Sequence, residues 1–202
     1  MSSPANRRIE IVEQATVYDG FLPIDRYRLR HGLYDGGMSD EMQREVMRRA
    51  PTVGVLPYDP VRDEVVLIEQ FRIGNYAAGV DPWEVEIVAG IMEPGETPED
   101  VARRETLEEA GVTAGELIPA GAVLLSPGAC TEVMTMFCAR VDASNAGGIH
   151  GLDHEHEDIR VFTRAAEAAI ADLKTATYVN APVLMLLQWL ALNRARVRAA
   201  WG

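Results

Sequence analysis

Residues 90–112 read GIMEPGETPEDVARRETLEEAGV, and their spacing decides how the chain folds. Gly90, Glu96, Arg104, Glu105, Glu108, Glu109, Gly111 and Val112 fall into the pattern G-x5-E-x7-R-E-u-x-E-E-x-G-u, where u is a bulky aliphatic residue. The segment Thr97-Pro98-Glu99-Asp100 predicts a helix start, with Thr97 as N-cap, Pro98 in the first turn and acids behind it. Gly111 suits the left-handed residue that ends a helix. The helix is therefore expected over 98–110, with Val101, Leu107 and Ala110 packing against a sheet.

Glu105, Glu108 and Glu109 are three and four residues apart and share one face of that helix. Like charges so placed destabilise an isolated helix by a few tenths of a kcal/mol per pair, on the order of 0.3 kcal/mol. A hard divalent cation with oxygen ligands compensates them well, and Arg103 and Arg104 neutralise part of the rest. A solvated acidic face is the plain alternative for a short acidic run. Gly90, Glu96, Arg104 and Gly111 at these offsets favour a metal site. The context agrees: residues 83–89 read as a strand, followed by a loop, the helix and a further strand at 120–125.

The pattern resembles the signature of Nudix hydrolases, which cleave a nucleoside diphosphate linked to another group. Thr106 departs from it at an aliphatic position, one concerned with packing rather than chemistry. The resemblance implies a Nudix-like α/β/α sandwich with a mixed sheet. Similarity to bacterial ADP-ribose pyrophosphatases extends over nearly the whole chain. It is carried by residues 56–70, 148–152, 157–161 and 187–190, and by Pro127 downstream of the signature.

Several roles follow from that resemblance. Glu105 and Glu109, with the carbonyl of Ala89, would bind Mg2+ (Mn2+ or another divalent ion is possible), with Glu108 close by and Glu96 supporting the helix and the metal shell. Phe21 and Arg44 match positions near the adenine, Arg72 a phosphate or ribose contact, and Glu132 a contact near the terminal ribose. The Gly-rich stretch 147–158 reads as a mobile loop. In the resembled family this loop carries the general base, and Glu155 is the matching position. Glu157 matches a carboxylate that approaches the metals and is the second candidate for the base; Glu108 is a third. From residue types alone, His154-Glu155-His156-Glu157-Asp158 reads equally as a solvated acidic loop or an adventitious metal site. The expected reaction is metal-assisted hydrolysis of ADP-ribose to AMP and ribose 5-phosphate. The alternatives are a diphosphatase for another nucleotide sugar such as GDP-mannose, and a non-catalytic sensor of ADP-ribose-like ligands.

The rest of the chain bounds these readings. The 202 residues carry a net charge of −12, which argues against nucleic-acid or anionic-membrane binding. The acidity is compatible with an anionic substrate where bound cations reverse the local sign. The start of the chain, MSSPANRRIEIVEQ, lacks the apolar core of a signal peptide. The apolar run at 181–192 is too short for a membrane span. Cys130 and Cys138 are read as reduced, buried thiols of a cytoplasmic protein.

Residues 1–48 alternate in short β-like runs at 9–12, 16–18, 25–29 and 42–47, and are expected to form a small antiparallel β subdomain. The Nudix-like domain would occupy 49–202. It opens with a hairpin of strands 52–56 and 64–70 and continues with strands 133–141 and 159–162. A helix over 163–173 capped by Thr163 follows, then a last helix from about Asn180 whose Arg194, Arg196 and Arg198 suit its C-terminus. The resemblance also implies a domain-swapped homodimer in which residues 1–48 of one subunit cover the other's site.

Overall fold

The computed structural model describes residues 7–175 and 178–202. The chain divides into two compact units, one formed by the residues up to Ala50 with Leu124–Val133, the other by Pro51–Val123 and Met134–Gly202.

In the first unit, β1 (Ile9–Tyr18), β2 (Ile24–His31) and β3 (Met42–Met47) form an antiparallel sheet in that order. The two runs expected at 9–12 and 16–18 are one strand. Register shifts between Ile11 and Glu13 and between Thr16 and Tyr18 account for the break in its alternation. Its surface is a ladder of opposite charges, with Glu13 facing Arg26 and Arg28 and Glu41 facing Arg28 and Arg30. The segment after Leu124 joins this unit through a bridge between Met47 and Cys130 and through Thr131, whose hydroxyl accepts from Arg49 N at 2.9 Å.

The second unit is built on a mixed sheet. Its strands are β4 (Thr52–Asp59), β5 (Glu64–Phe71), β6 (Trp83–Glu86), β7 (Val88–Ile91), β8 (Leu117–Leu124), β9 (Val133–Arg140), β10 (Gly148–His150) and β11 (Ile159–Ala165). The order is β10-β11-β5-β4-β9-β8, with β4 and β9 parallel. β4 is buried along its whole length.

β4 and β5 pair only at the hairpin end, through Tyr58–Val65 and Asp59–Glu64. Beyond it they diverge, and the chain at 83–91 fills the gap. β6 pairs with β5 and β7 with β4, the crossing being made at buried Ile87. The single strand expected at 83–89 is thus two, because each half hydrogen-bonds a different neighbour. A short helix, α1 (Ile73–Ala77), leads into β6.

Helix α2 (Pro98–Ala110) forms as expected. Thr97 Oγ1 accepts from Asp100 N, Asp100 accepts from Thr97 N, and Gly111 adopts φ 65°. Its inward face corrects one expectation. Val101, Ala102, Thr106, Glu109 and Ala110 are buried, while Leu107 is 56% exposed. Thr106 is fully buried and donates to Ala102 O at 2.6 Å, so a hydroxyl bonded within the helix occupies the aliphatic position. Val53, Val55, Val66, Ile68 and Val88 complete the core with α2.

β11 runs to Ala165, paired with β5 as far as Glu64. Thr163 therefore lies in the sheet opposite Val66 and caps nothing; α3 (Ala166–Asp172) starts later, without a side-chain cap. The last helix, α4 (Ala181–Trp201), starts as expected, with Asn180 Oδ1 accepting from Val183 N. Its arginines do more than face the helix end. Arg194 and Arg198 bind Asp63 in the β4–β5 turn, where Tyr58 Oη also donates to Asp63 at 2.6 Å. Arg194 holds the Asp63 carboxyl below its ordinary range. Among the described residues no helix is long and apolar enough to cross a membrane.

Asp63 takes φ 59°, a conformation most side chains avoid, so both strain and lost contacts bear on its replacement. Asp63→Ala should lower the unfolding free energy by about 2 kcal/mol, since it strips partners from Tyr58 and Arg194. Asp63→Gly loses the same contacts but relieves the strain, and should be destabilised by about 1 kcal/mol. The measurement is the urea midpoint at unchanged m. A native-like midpoint for Asp63→Gly would show that the contacts to α4 contribute little.

Candidate active site

The second unit brings the acids of α2 against the end of the split strand. Glu109 is buried, and one of its oxygens accepts from Ala89 N at 2.8 Å. Glu105 sits over Gly90, where a β-carbon would come within 1.7 Å of its Oε1. Only glycine lets the helix approach so closely at that point.

Arg104 organises the remaining acids. It donates to both oxygens of Glu96, at 2.9 and 3.1 Å, and its Nη1 donates to Glu105 at 2.7 Å and Glu108 at 3.1 Å. Glu96 in turn accepts from Glu93 N, which ties the loop before α2 to the helix.

The electrostatics follow from burial without full compensation. Burial pushes the Glu105 carboxyl up to about 7, against the opposing pull of Arg104 and with help from Glu108 and Glu157. Burial likewise raises Glu109 well above the carboxylate range, against the hydrogen bond from Ala89 and with help from Glu105 and Glu157. In both, burial disfavours the charged form, and a nearby cation would offset that cost.

The donor set fits a hard divalent ion: carboxylates and a strand-end carbonyl, with a net deficit of positive charge. Among the described residues no three acidic, histidine or cysteine side chains converge closely enough to hold an ion in the present arrangement. Glu105 and Glu108 are turned onto Arg104 instead.

The segment 147–158 is more ordered than a bare loop. β10 pairs with β11, and Asp153–Glu155 forms a single 3-10 turn. The segment is moored to α2: Gly151 N donates to Glu108 O at 3.3 Å, and the His150 ring lies where a β-carbon on Gly111 would fall. Glu157 is partly buried, accepts from Leu152 N, and lies within electrostatic reach of Glu105, Glu109 and Arg72. Glu155 is exposed on the 3-10 turn, with His154 Nε2 3.8 Å from its carboxylate.

Arg72 belongs to the same region. Its Nε and Nη2 grip Glu86 at 2.8 and 2.7 Å. Glu84 and Glu86 were not expected as part of the site, yet both are buried. Asn75 holds Glu84, while Gln70, Arg72 and Asn180 hold Glu86. The legible signal was two acids spaced by two in an otherwise apolar strand. Phe21, Arg44 and Glu132 lie in the first unit: Phe21 is 88% exposed, Arg44 bonds Gln43 O, and Glu132 pairs with Arg49 at 3.6 Å.

A NUDIX domain model matches residues 48–187. The chain belongs to the Nudix family. It is 45% identical over 194 residues to the ADP-ribose pyrophosphatase of Escherichia coli K12, covering 96% of this chain and 93% of that protein. The Haemophilus influenzae ADP-ribose pyrophosphatase is 39% identical over 196 residues, covering 96% and 90%. The GDP-mannose pyrophosphatase of Enterobacter sp. (strain 638) is 32% identical over 192 residues, covering 92% and 96%. A crystal structure of an ADP compounds hydrolase shares the fold, with a TM-score of 0.71 at 20% identity over 97% of this chain and all of that one. The Nudix sheet with α2 across it is thus the architecture that sets the acids in place.

A pH dependence follows from the raised carboxyls. Glu105 has a higher pKa folded, about 7, than its ordinary value of 4.5. Its contribution to stability is therefore full below 4.5 and is lost as pH rises through 7. The metal-free protein should melt at progressively lower temperature from pH 5 to pH 8. Mg2+ should raise the melting temperature more at pH 8 than at pH 5, with proton release seen calorimetrically near pH 6.5. A Mg2+ effect independent of pH would exclude Glu105 from the ion's ligands.

Proposed function

We propose that this protein hydrolyses the pyrophosphate of ADP-ribose to AMP and ribose 5-phosphate. The observation that carries the reading is the acid pair of the Nudix signature helix, Glu109 buried against Ala89 N and Glu105 packed over Gly90. Identity of 45% over nearly the whole chain to an ADP-ribose pyrophosphatase supports the substrate.

Glu105, Glu109 and the Ala89 carbonyl would hold Mg2+, with Glu108 alongside and Glu96 fixing Arg104. When bound, the ion supplies positive charge to the pyrophosphate oxygens and acidifies water. A water oxygen bonds to one phosphorus as the bridging P–O bond breaks, and Glu155 accepts the water's proton. Arg72 contacts a phosphate or ribose, and Glu132 contacts the terminal ribose. Glu157, whose charge acts on both Glu105 and Glu109, is the second candidate for the base. The two free, buried cysteines support a cytoplasmic setting. Hydrolysis of GDP-mannose is the second reading, favoured by the 32% identical GDP-mannose pyrophosphatase.

Purified protein with Mg2+ should turn over ADP-ribose with kcat/KM at least about tenfold above GDP-mannose, a difference of ~1.4 kcal/mol in transition-state binding. Glu155→Gln should cut kcat by on the order of a hundredfold to ten-thousandfold with little change in KM. Near-normal turnover by Glu155→Gln alongside a crippled Glu157→Gln would move the base to Glu157. A preference for GDP-mannose would replace the substrate.

The working unit we propose is a swapped homodimer, with residues 1–48 bringing Phe21 and Arg44 to the neighbouring subunit's site. The exposed Ile9, Ile11, Val17 and Tyr18 of β1 offer apolar surface for such a partner. Mixing unfolded Arg44→Ala and Glu109→Gln subunits and refolding them together should restore up to about a quarter of native activity, because half the dimers then carry one intact site. No recovery in a mixture that does form heterodimers would place both residues in one subunit's own site.

A further inference from the structure

Glu86 is 5% exposed at the end of β6, and its two oxygens receive four donors. Arg72 supplies Nε at 2.8 Å and Nη2 at 2.7 Å, Gln70 Nε2 lies at 3.1 Å, and Asn180 Nδ2 at 3.4 Å. The Arg72 backbone is fixed too, through its N–H to Pro82 O at 2.7 Å. Only the Nη1 end of the guanidinium makes no hydrogen bond among the described residues.

Glu86 is buried while the Arg72 side chain stays 43% exposed, so four donors on one carboxylate serve more than the filling of a core position. The polar construction therefore points to orientation. We propose that Glu86, itself held by Gln70 and Asn180, is a positioning residue that fixes the Arg72 guanidinium and leaves its Nη1 end for an anionic substrate. Asn180 serves twice: Oδ1 caps α4 through Val183 N while Nδ2 reaches Glu86. The start of α4 is thereby coupled to the site. The assignment rests on the reading of Arg72 as a phosphate or ribose contact.

The test is a kinetic cycle with a structural readout on the full chain. Glu86→Gln keeps the shape of the side chain and removes its charge. It should raise KM for ADP-ribose about tenfold, as expected for weakening a charged hydrogen-bond pair, with kcat within about threefold of native. In an Arg72→Ala background the same change should add less than about twofold, because residues that act through one another are non-additive. Asn180→Ser retains a capping hydroxyl, so the melting temperature should hold while KM rises about threefold.

By NMR, the native protein should show a slowly exchanging Nε–H of Arg72, assigned by its loss in Arg72→Ala and absent in Glu86→Gln. Additive KM effects, or an Nε–H signal unchanged in Glu86→Gln, would overturn the proposal. So would native KM in Arg72→Ala, which would also remove Arg72 from the substrate contacts. If the native protein fails to hydrolyse ADP-ribose, the functional reading falls by itself and the Nε–H signal decides the clamp.

Discussion

The constraint on which the second unit turns is the packing of two carboxylates one helical turn apart against the sheet, Glu109 buried and Glu105 partly so. Glu105 and Glu109 stand inside a fold that supplies too few positive charges for them. Charged groups in such a place cost several kcal/mol each unless paired. The surrounding structure reads as a response. Gly90 lets α2 close on the strand, Ala89 N takes one Glu109 oxygen, and Arg104 gathers Glu96, Glu105 and Glu108. The response is incomplete, and the remaining deficit is what a divalent ion can meet.

The strand beside these acids owes its position to a fault in the sheet. β4 and β5 part after two residue pairs, and 83–91 enters the opening, changing partner at Ile87. Either side of the change of partner, Glu86 meets Arg72 and Ala89 N meets Glu109 of α2. An unbroken hairpin would leave no such opening. The turn of that hairpin is held by α4 through Asp63, so the far end of the sheet is closed while the near end stays parted.

Local signals were legible and non-local ones were not. The limits of α2 follow from Thr97, Pro98 and Gly111, all acting within one or two turns, and they are found where expected. Its inward face was misjudged at Leu107 because Thr106 satisfies its own hydroxyl against Ala102 and can be buried in place of the leucine. The break at Ile87 depends on which strand lies alongside, and residues 83–91 do not encode that by themselves. Thr163 looked like a cap because hydroxyl residues cap helices, but pairing along β5 outweighed the local preference. Arg194 and Arg198 face a partner more than a hundred positions away, which no pattern within α4 reveals. At the site, the helix acids were legible as a spacing, whereas the clamp on Glu86 draws on residues from β5, β6 and the start of α4.

The mooring of segment 147–158 has a consequence for how the protein can vary. Gly151 is tied to Glu108 O, and the His150 ring rests over Gly111, so the root of this segment is referenced to the same helix that carries Glu105 and Glu109. The segment and the acids thus take their positions from one helix. The same segment is also paired to the sheet through β10 and β11, so it spans from the sheet to the helix and holds the two in register. A substitution that unseats α2 would therefore pull on the segment's root as well, and the spacing between them is held from both sides.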